Sequence, residues 1–384
     1  MAPDQVLAQK RELVWNACSH IETEYIPNLS FCGNAILDFA GMTFQEADSD
    51  DEKLEKVLRS LPSATRLDVG WLGFSGSPRT HEALGRRTET FLAPDGVTLQ
   101  HLQKPTMKAD EYPLLIEDYE KFMKGTLLAR KYPQLFEDKQ GAIDSLKVVV
   151  EEAASRPMSN FNKVLANVCE DLGFLLWPGG LPRFSHPADY VFDRLRGFAG
   201  TLTDLRRNPK LFKDAIEMLF RTRSNHFDNL ELSNVYASYM PHIAPYMNKG
   251  QYKEFFFPYF KEMITNISNA GNKTYMSLEN NWMPVIDSFL DIPKDSVVVM
   301  VDDDDIFELN KIIGHHQVLT GGALLQNLKL QTKDKVIDYA KRVIDEVAPG
   351  GGFMFTTNKM WVCKGDINQN MLDVFNFAHE YGRK

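Results

Sequence analysis

The chain has 384 residues and a mass of 43.8 kDa, long for an ordinary single domain but normal for one β/α barrel carrying insertions. Hydrophobic residues at 43% and charged residues at 25% provide for a large core and exclude wholesale disorder. With Lys+Arg 43 against Asp+Glu 52, the net charge of −9 argues against tracking nucleic-acid phosphates or an anionic membrane surface, so neither is expected as a partner.

The opening segment, MAPDQVLAQKRELVW, spreads its charges and has no apolar block of signal-peptide shape. The longest apolar stretches, such as SVVVMV before Asp302, are strand-sized and too short for a membrane span. Cys18, Cys32, Cys169 and Cys363 are scattered without CxxC spacing, which argues against a disulfide framework or a thiolate zinc knuckle. These features predict a cytoplasmic protein.

Residues 4–23 place Val6, Leu7, Leu13, Val14, Ala17, Cys18 and Ile21 at helical spacing, and residues 1–65 form an N-terminal cap region. Leu67–Phe74 is strand-like. Thr88–Leu92 and Val97–Leu102 flank the turn signal Ala93-Pro94-Asp95-Gly96 and predict a β-hairpin insertion over 85–105. Glu111 to about Arg156 is helical, and Gly173–Trp177 supplies a further strand. Beyond it, strand patterns at Leu232–Tyr239, Lys273–Leu278, Ser296–Val301, Gln317–Thr320 and Gly352–Thr357 alternate with helix patterns. Those helices span Gln251–Ala270, Met283–Leu290, Ile306–Ile313, Thr332–Val347 and Ile367–Tyr381. Near-continuous apolar strands alternating with helices imply a parallel sheet covered on both faces. No GxGxxG marks a first βα turn, so a (β/α)8 TIM barrel with N-terminal helical and hairpin additions is expected over an open sheet. A single domain spans 1–384.

In such a barrel, function gathers at the C-terminal ends of the strands. Glu279 ends the apolar run KTYMSL, where a carboxylate in a half-closed cavity would serve as metal ligand or acid/base. Asp302-Asp303-Asp304-Asp305 follows VVVMV; alternation points at most two inward, and a later one caps the helix at Ile306. Mutual repulsion among them makes Asp302 or Asp303 a candidate for an interior cation. His242 lies at the end of the preceding strand. His242, Glu279, Asp302 and Asp303 together suit Zn2+ with an open position, with Glu279, His242 and Asp303 as the catalytic set. Gly321 and Gly322 stand ahead of a helix, where backbone amides would approach an anionic cofactor group or simply form a tight turn. Phe255, Phe256, Phe257 and Phe260 read as core packing. Gly350-Gly351-Gly352 reads as a turn, and His315-His316 as structural. Arg183 and His186 fall in a Pro/Gly-dense loop that could face a ligand.

Several segments resemble the uroporphyrinogen decarboxylase superfamily, which includes corrinoid-dependent methyltransferases. They are Phe192–Pro209, His242–Ile264, Tyr275–Trp282, Val301–Gly314, Thr320–Asp345 and Pro349–Phe355, and they occur in family order. The resemblance implies the same barrel. True porphyrinogen decarboxylases carry an Arg-rich PxWxMRQAGR segment that has no counterpart here before Gly76. The thiol-activating methyltransferases carry an HxC…C zinc site, whereas Glu279 stands at the histidine position and Asn281 two residues on. What remains is the O-demethylation type. It implies transfer of a methyl group from a methoxy- or amine-type small molecule to the Co(I) corrinoid of a partner protein, at a carboxylate/histidine site. A homodimer is left open. The alternatives are a metal-free lyase on another polyacid, with Arg183, Arg194 and Arg196 as cationic clamps, and a non-catalytic ligand-binding paralogue.

Overall fold

Among the described residues, eight parallel strands, each only two to six residues long, carry the candidate residues. A computed structural model describes residues 3–74, 78–85, 90–102, 105–155, 158–177, 179, 181, 184–224, 230 and 232–383, so Arg183 lies outside the described residues. In chain order the strands are β1 (Leu29–Phe31), β2 (Val69–Trp71), β3 (Thr90–Leu92), β4 (Leu99–His101), β5 (Leu175–Leu176), β6 (Tyr236–Tyr239), β7 (Lys273–Leu278), β8 (Val297–Val301), β9 (Val318–Ala323) and β10 (Phe353–Thr357). The strands β3 and β4 pair antiparallel as a hairpin, with Phe91 opposite Gln100. All the others pair parallel, in two sheets ordered β10-β9-β8-β7-β6 and β1-β2-β5. Isolated parallel bridges join the sheets at both margins, Asn28 to Phe355 and Cys32 to Trp361 on one side and Gly179 to Tyr236 on the other.

The side-chain period of two divides each strand between two cores. On β8, Val297, Val299 and Val301 belong to a large outer core shared with the helices, including buried Phe256 and Phe260. Val298 and Met300 turn the other way, into an inner cluster with Leu29, Phe31, Val69, Leu175, Trp177, Tyr236, Tyr275, Val318 and Met354. The helix Pro3–Ala17 adds Val14 and Ala17 to that cluster, and Cys18 follows directly. Its Trp15 ring meets Tyr236 edge-on at 5.7 Å and lies under the Lys273 ammonium at 4.9 Å. Because Lys273 opens β7, this helix covers the N-terminal ends of the strands. The opposite, C-terminal ends are left to the loops.

Two expectations change. Gly321 and Gly322 do not form a turn ahead of a helix: β9 runs through them to Ala323, fully buried and paired with Phe355 and Thr356. The backbone at Gly322 has φ +123°, and a Cβ there would lie 2.4 Å from the Phe355 ring; one at Gly321 would meet Ile306 at 2.8 Å. Both glycines serve close packing, not cofactor amides. The predicted helix Met283–Leu290 is instead a 3-10 turn over Ile286–Asp291, between Pro284 and Pro293.

Candidate functional site

Three charged groups gather at the C-terminal ends of β6, β7, β8 and β10. On β7 the inward face carries Tyr275, then Ser277, then Glu279 where the strand ends. Asn280 takes a left-handed φ of +65°, a conformation Asn tolerates, and turns the chain so that the Trp282 indole donates to the Glu279 carbonyl at 2.9 Å. That leaves the Glu279 carboxylate free: among the described residues it makes no hydrogen bond or ion pair.

The four aspartates after β8 have four different places. Asp302 continues the inward face of Val298 and Met300 and is buried. Asp303 is exposed. Asp304 accepts from the Trp282 amide at 2.8 Å, tying the loops after β7 and β8 together. Asp305 caps the helix Ile306–Ile313, accepting from the Phe307 amide at 2.8 Å and the Glu308 amide at 3.3 Å. The cation that relieves Asp302 and Asp303 is Lys359, from the loop after β10, with Nζ 2.7 Å from Asp302 and 3.1 Å from Asp303. Burial pushes the Asp302 carboxyl above its ordinary range; Lys359 opposes this, while Asp303 and Glu279 add to it. Asn358 supports the arrangement by donating to the Asp302 carbonyl at 3.0 Å.

His242 follows β6 and is held by two acids absent from the sequence-predicted set. The Asp193 carboxylate lies 2.9 Å from His242 Nδ1. Asp189, fully buried, accepts from the His242 amide at 3.0 Å, the Ile243 amide at 2.7 Å and the Tyr239 hydroxyl. Burial raises the Asp189 carboxyl to about 6, against the pull of those donors. Burial alone would discharge His242, but the hydrogen bond and charge of Asp193, with the charges of Asp189 and Glu279, outweigh it and hold the imidazolium up to about 9. Both acids lie on one helical stretch, Pro187–Tyr190 running into a π-helix turn at Val191–Arg196, and their spacing of four puts them on one face. That spacing was the readable signal. For Lys359 there was none, because only the register of β8, β9 and β10 brings it to Asp302.

Glu279 therefore acts electrostatically on both His242 and Asp302, two others of the sequence-predicted residues. They do not assemble as the expected zinc set. Among the described residues no group of three or more His, Cys, Asp or Glu is placed to hold a metal ion. The Lys359 ammonium already bridges Asp302 and Asp303.

The remaining candidates are structural. His186 is fully buried, with Nδ1 accepting from the Ala188 amide and Nε2 donating to the Phe256 carbonyl at 2.9 Å; burial lowers it to about 3, so it stays neutral. Arg196 pairs with Asp204 at 2.6 Å and donates to the Met107 carbonyl. Arg194 lines a groove of about 380 Å³ with Lys124, Lys131 and Tyr190. His316 donates to the Ile292 carbonyl at 2.8 Å.

No family model matches the chain, and no curated protein does. Among solved structures it is similar to a methyltransferase from Methanosarcina mazei, at 12% identity and a TM-score of 0.55, over 97% of this chain and 98% of that one. The chain shares that protein's fold. At that identity the likeness concerns the fold, and it leaves the superfamily and the chemistry to the site. No helix among the described residues is long and apolar enough to cross a membrane.

Proposed function

We propose that this chain is a methyltransferase of the uroporphyrinogen decarboxylase superfamily, built on one closed (β/α)8 barrel spanning 1–384. The bridges at the two margins and the inner cluster fed by all eight parallel strands support the closure, since a ring of strands needs both edges paired and one shared interior. The reaction is transfer of a methyl group from a methylated small molecule to the Co(I) corrinoid of a partner protein, which reaches the site at the C-terminal ends of the strands. The corrinoid supplies the nucleophile. This chain's residues bind and orient the methyl donor: Glu279 contacts it, while the His242–Asp193 and Lys359–Asp302 pairs hold the rim in place around it.

The observation that carries this reading is the convergence of Glu279, His242 and Asp302 at adjacent strand ends, within reach of one another's charge, in a fold shared with a methyltransferase. A lyase acting on a polyacid would need cationic clamps, and here Arg196 is committed to Asp204 while carboxylates outnumber cations at the rim. The test is methyl transfer to a Co(I) corrinoid protein, followed by the cobalt absorption spectrum, with Glu279→Gln as the variant. Transfer by the parent chain and a rate reduced at least 100-fold in Glu279→Gln is the expected result. An unchanged rate in the variant removes Glu279 from the site.

A further inference from the structure

The groove of about 380 Å³ beside Arg194 is separate from the strand-end site: Glu279, His242, Asp302 and Lys359 do not line it. One wall is the helical stretch Tyr119–Lys131, which passes through a π-helix turn at Met123–Leu127 and presents Lys124, Leu127, Leu128 and Lys131 to the groove. The facing wall is Pro187–Arg196. Tyr190 and Arg194 line the groove from that stretch, while Asp189 and Asp193, one residue earlier in each case, turn to His242. The Tyr119 and Tyr190 hydroxyls, 3.2 Å apart, join the two walls. A loop closes the third side: the Thr106 hydroxyl donates to the Arg194 carbonyl at 2.8 Å, and Arg130 donates to the Thr106 carbonyl at 2.9 Å.

The lining combines apolar surface with charge of one sign. Leu127 is buried, Met123 half-buried and Leu128 39% exposed. Around them stand Lys124, Lys131 and Arg194, and no acid is among the described lining residues, although the chain as a whole has a net charge of −9. Lys124 reaches Glu120 at 2.6 Å, but both side chains stand mostly in solvent, where such a pair is weak. The Arg194 guanidinium makes no ion pair or hydrogen bond among the described residues. We infer that the groove binds a small organic carboxylate with an apolar body, the carboxylate at Arg194 and the body over Met123, Leu127 and Leu128. A guanidinium takes a carboxylate through two parallel hydrogen bonds, and the flanking lysines add attraction of the same sign. Covering the exposed leucine supplies the apolar part of the binding. The groove has the volume of a small-molecule site. An inorganic anion leaves its apolar surface wet, and a neutral apolar molecule leaves Arg194 without a counter-ion. The inference does not depend on the methyl-transfer reading, because no residue given a role in that reaction lines the groove.

Calorimetric titration of the full chain with monomeric sodium octanoate tests it, with octan-1-ol and sodium phosphate compared at equal ionic strength. The expected result is saturable binding of one octanoate, at least tenfold tighter than either comparison compound. It should weaken at least tenfold in Arg194→Gln and in Leu128→Asp, and recover in part in Arg194→Lys. Both positions are exposed, and circular dichroism shows that each variant is folded. Absence of saturable octanoate binding overturns the inference. So does binding indifferent to Arg194→Gln, or octan-1-ol binding as tightly as octanoate. Equal binding of phosphate overturns it by reducing the groove to a site for any anion. Binding of a hexaglutamate peptide where octanoate fails overturns it and gives the groove to an acidic protein segment.

Discussion

His242 is a histidine whose charge state is decided by a neighbour forty-nine positions away in sequence. A lone imidazole at a strand end is equally suited to ligate a metal as a neutral base or to stand as a cation, and which it does depends on its second partner. Asp193 makes it a cation. Replacing Asp193→Asn removes the largest favourable contribution while leaving the burial that opposes the charge, so the His242 titration should fall from about 9 toward its ordinary value. An NMR titration of the imidazole protons checks this. A titration that stays near 9 means another acid holds the ring. The aspartate run makes the same point: its four carboxylates are identical in sequence, yet they become a buried ion-pair member, an exposed one, a loop tie and a helix cap. The helix cap was legible, because a carboxylate before an apolar helical run meets unpaired amides. The division of the others was not, since Lys359 reaches them from a different strand.

Among the elements, β7 and β8 were the most legible, with apolar residues on both faces as strands buried between helices and an inner core require. At β9 the pattern Val-Leu-Thr-Gly-Gly-Ala suggests a strand that stops before its glycines, because glycine weakens strands in general. It continues because Phe355 on β10 occupies the space where a side chain at 322 would stand. Gly322→Ala should therefore destabilise the fold by about 2–4 kcal/mol, combining strain at positive φ with overpacking against the ring. Urea unfolding measures it, and a loss below about 0.5 kcal/mol means the strand shifts to admit the methyl group. The strand β1 gave no signal for a different reason: three residues are too few for a period, and only its pairing with Val69–Trp71 and the bridge beside it identify it.

Across the whole molecule, two histidine–aspartate pairs tie distant segments together at opposite ends of the strands. At the N-terminal ends His20 meets Asp295 and bonds the Gly314 carbonyl at 2.7 Å, and the Asp295 hydrogen bond raises its pKa. At the C-terminal ends His242 meets Asp193. For a histidine raised on folding, the stabilising contribution is complete below the unfolded value near 6.5 and is lost as pH climbs through the folded value. The unfolding midpoint should therefore decline between about pH 6.5 and about pH 9, through His242 and His20 together. A His20→Asn, His242→Asn double variant should show a flatter profile over that interval. An equally steep decline in the double variant assigns the effect to other groups.

Composition, the absence of a membrane-length apolar run, and the alternation of apolar strands with helices came from the sequence alone. So did the candidate status of Glu279, His242 and the aspartates, because period and strand-end position are local properties of a chain. Which charges face one another was decided only by tertiary structure. Asp193 and Lys359 lie on separate elements, and a charge's partner is a matter of distance in space. Of the residues that suggested a metal in sequence, Asp302 and Asp303 meet a lysine and His242 an aspartate once parallel pairing brings those strands side by side.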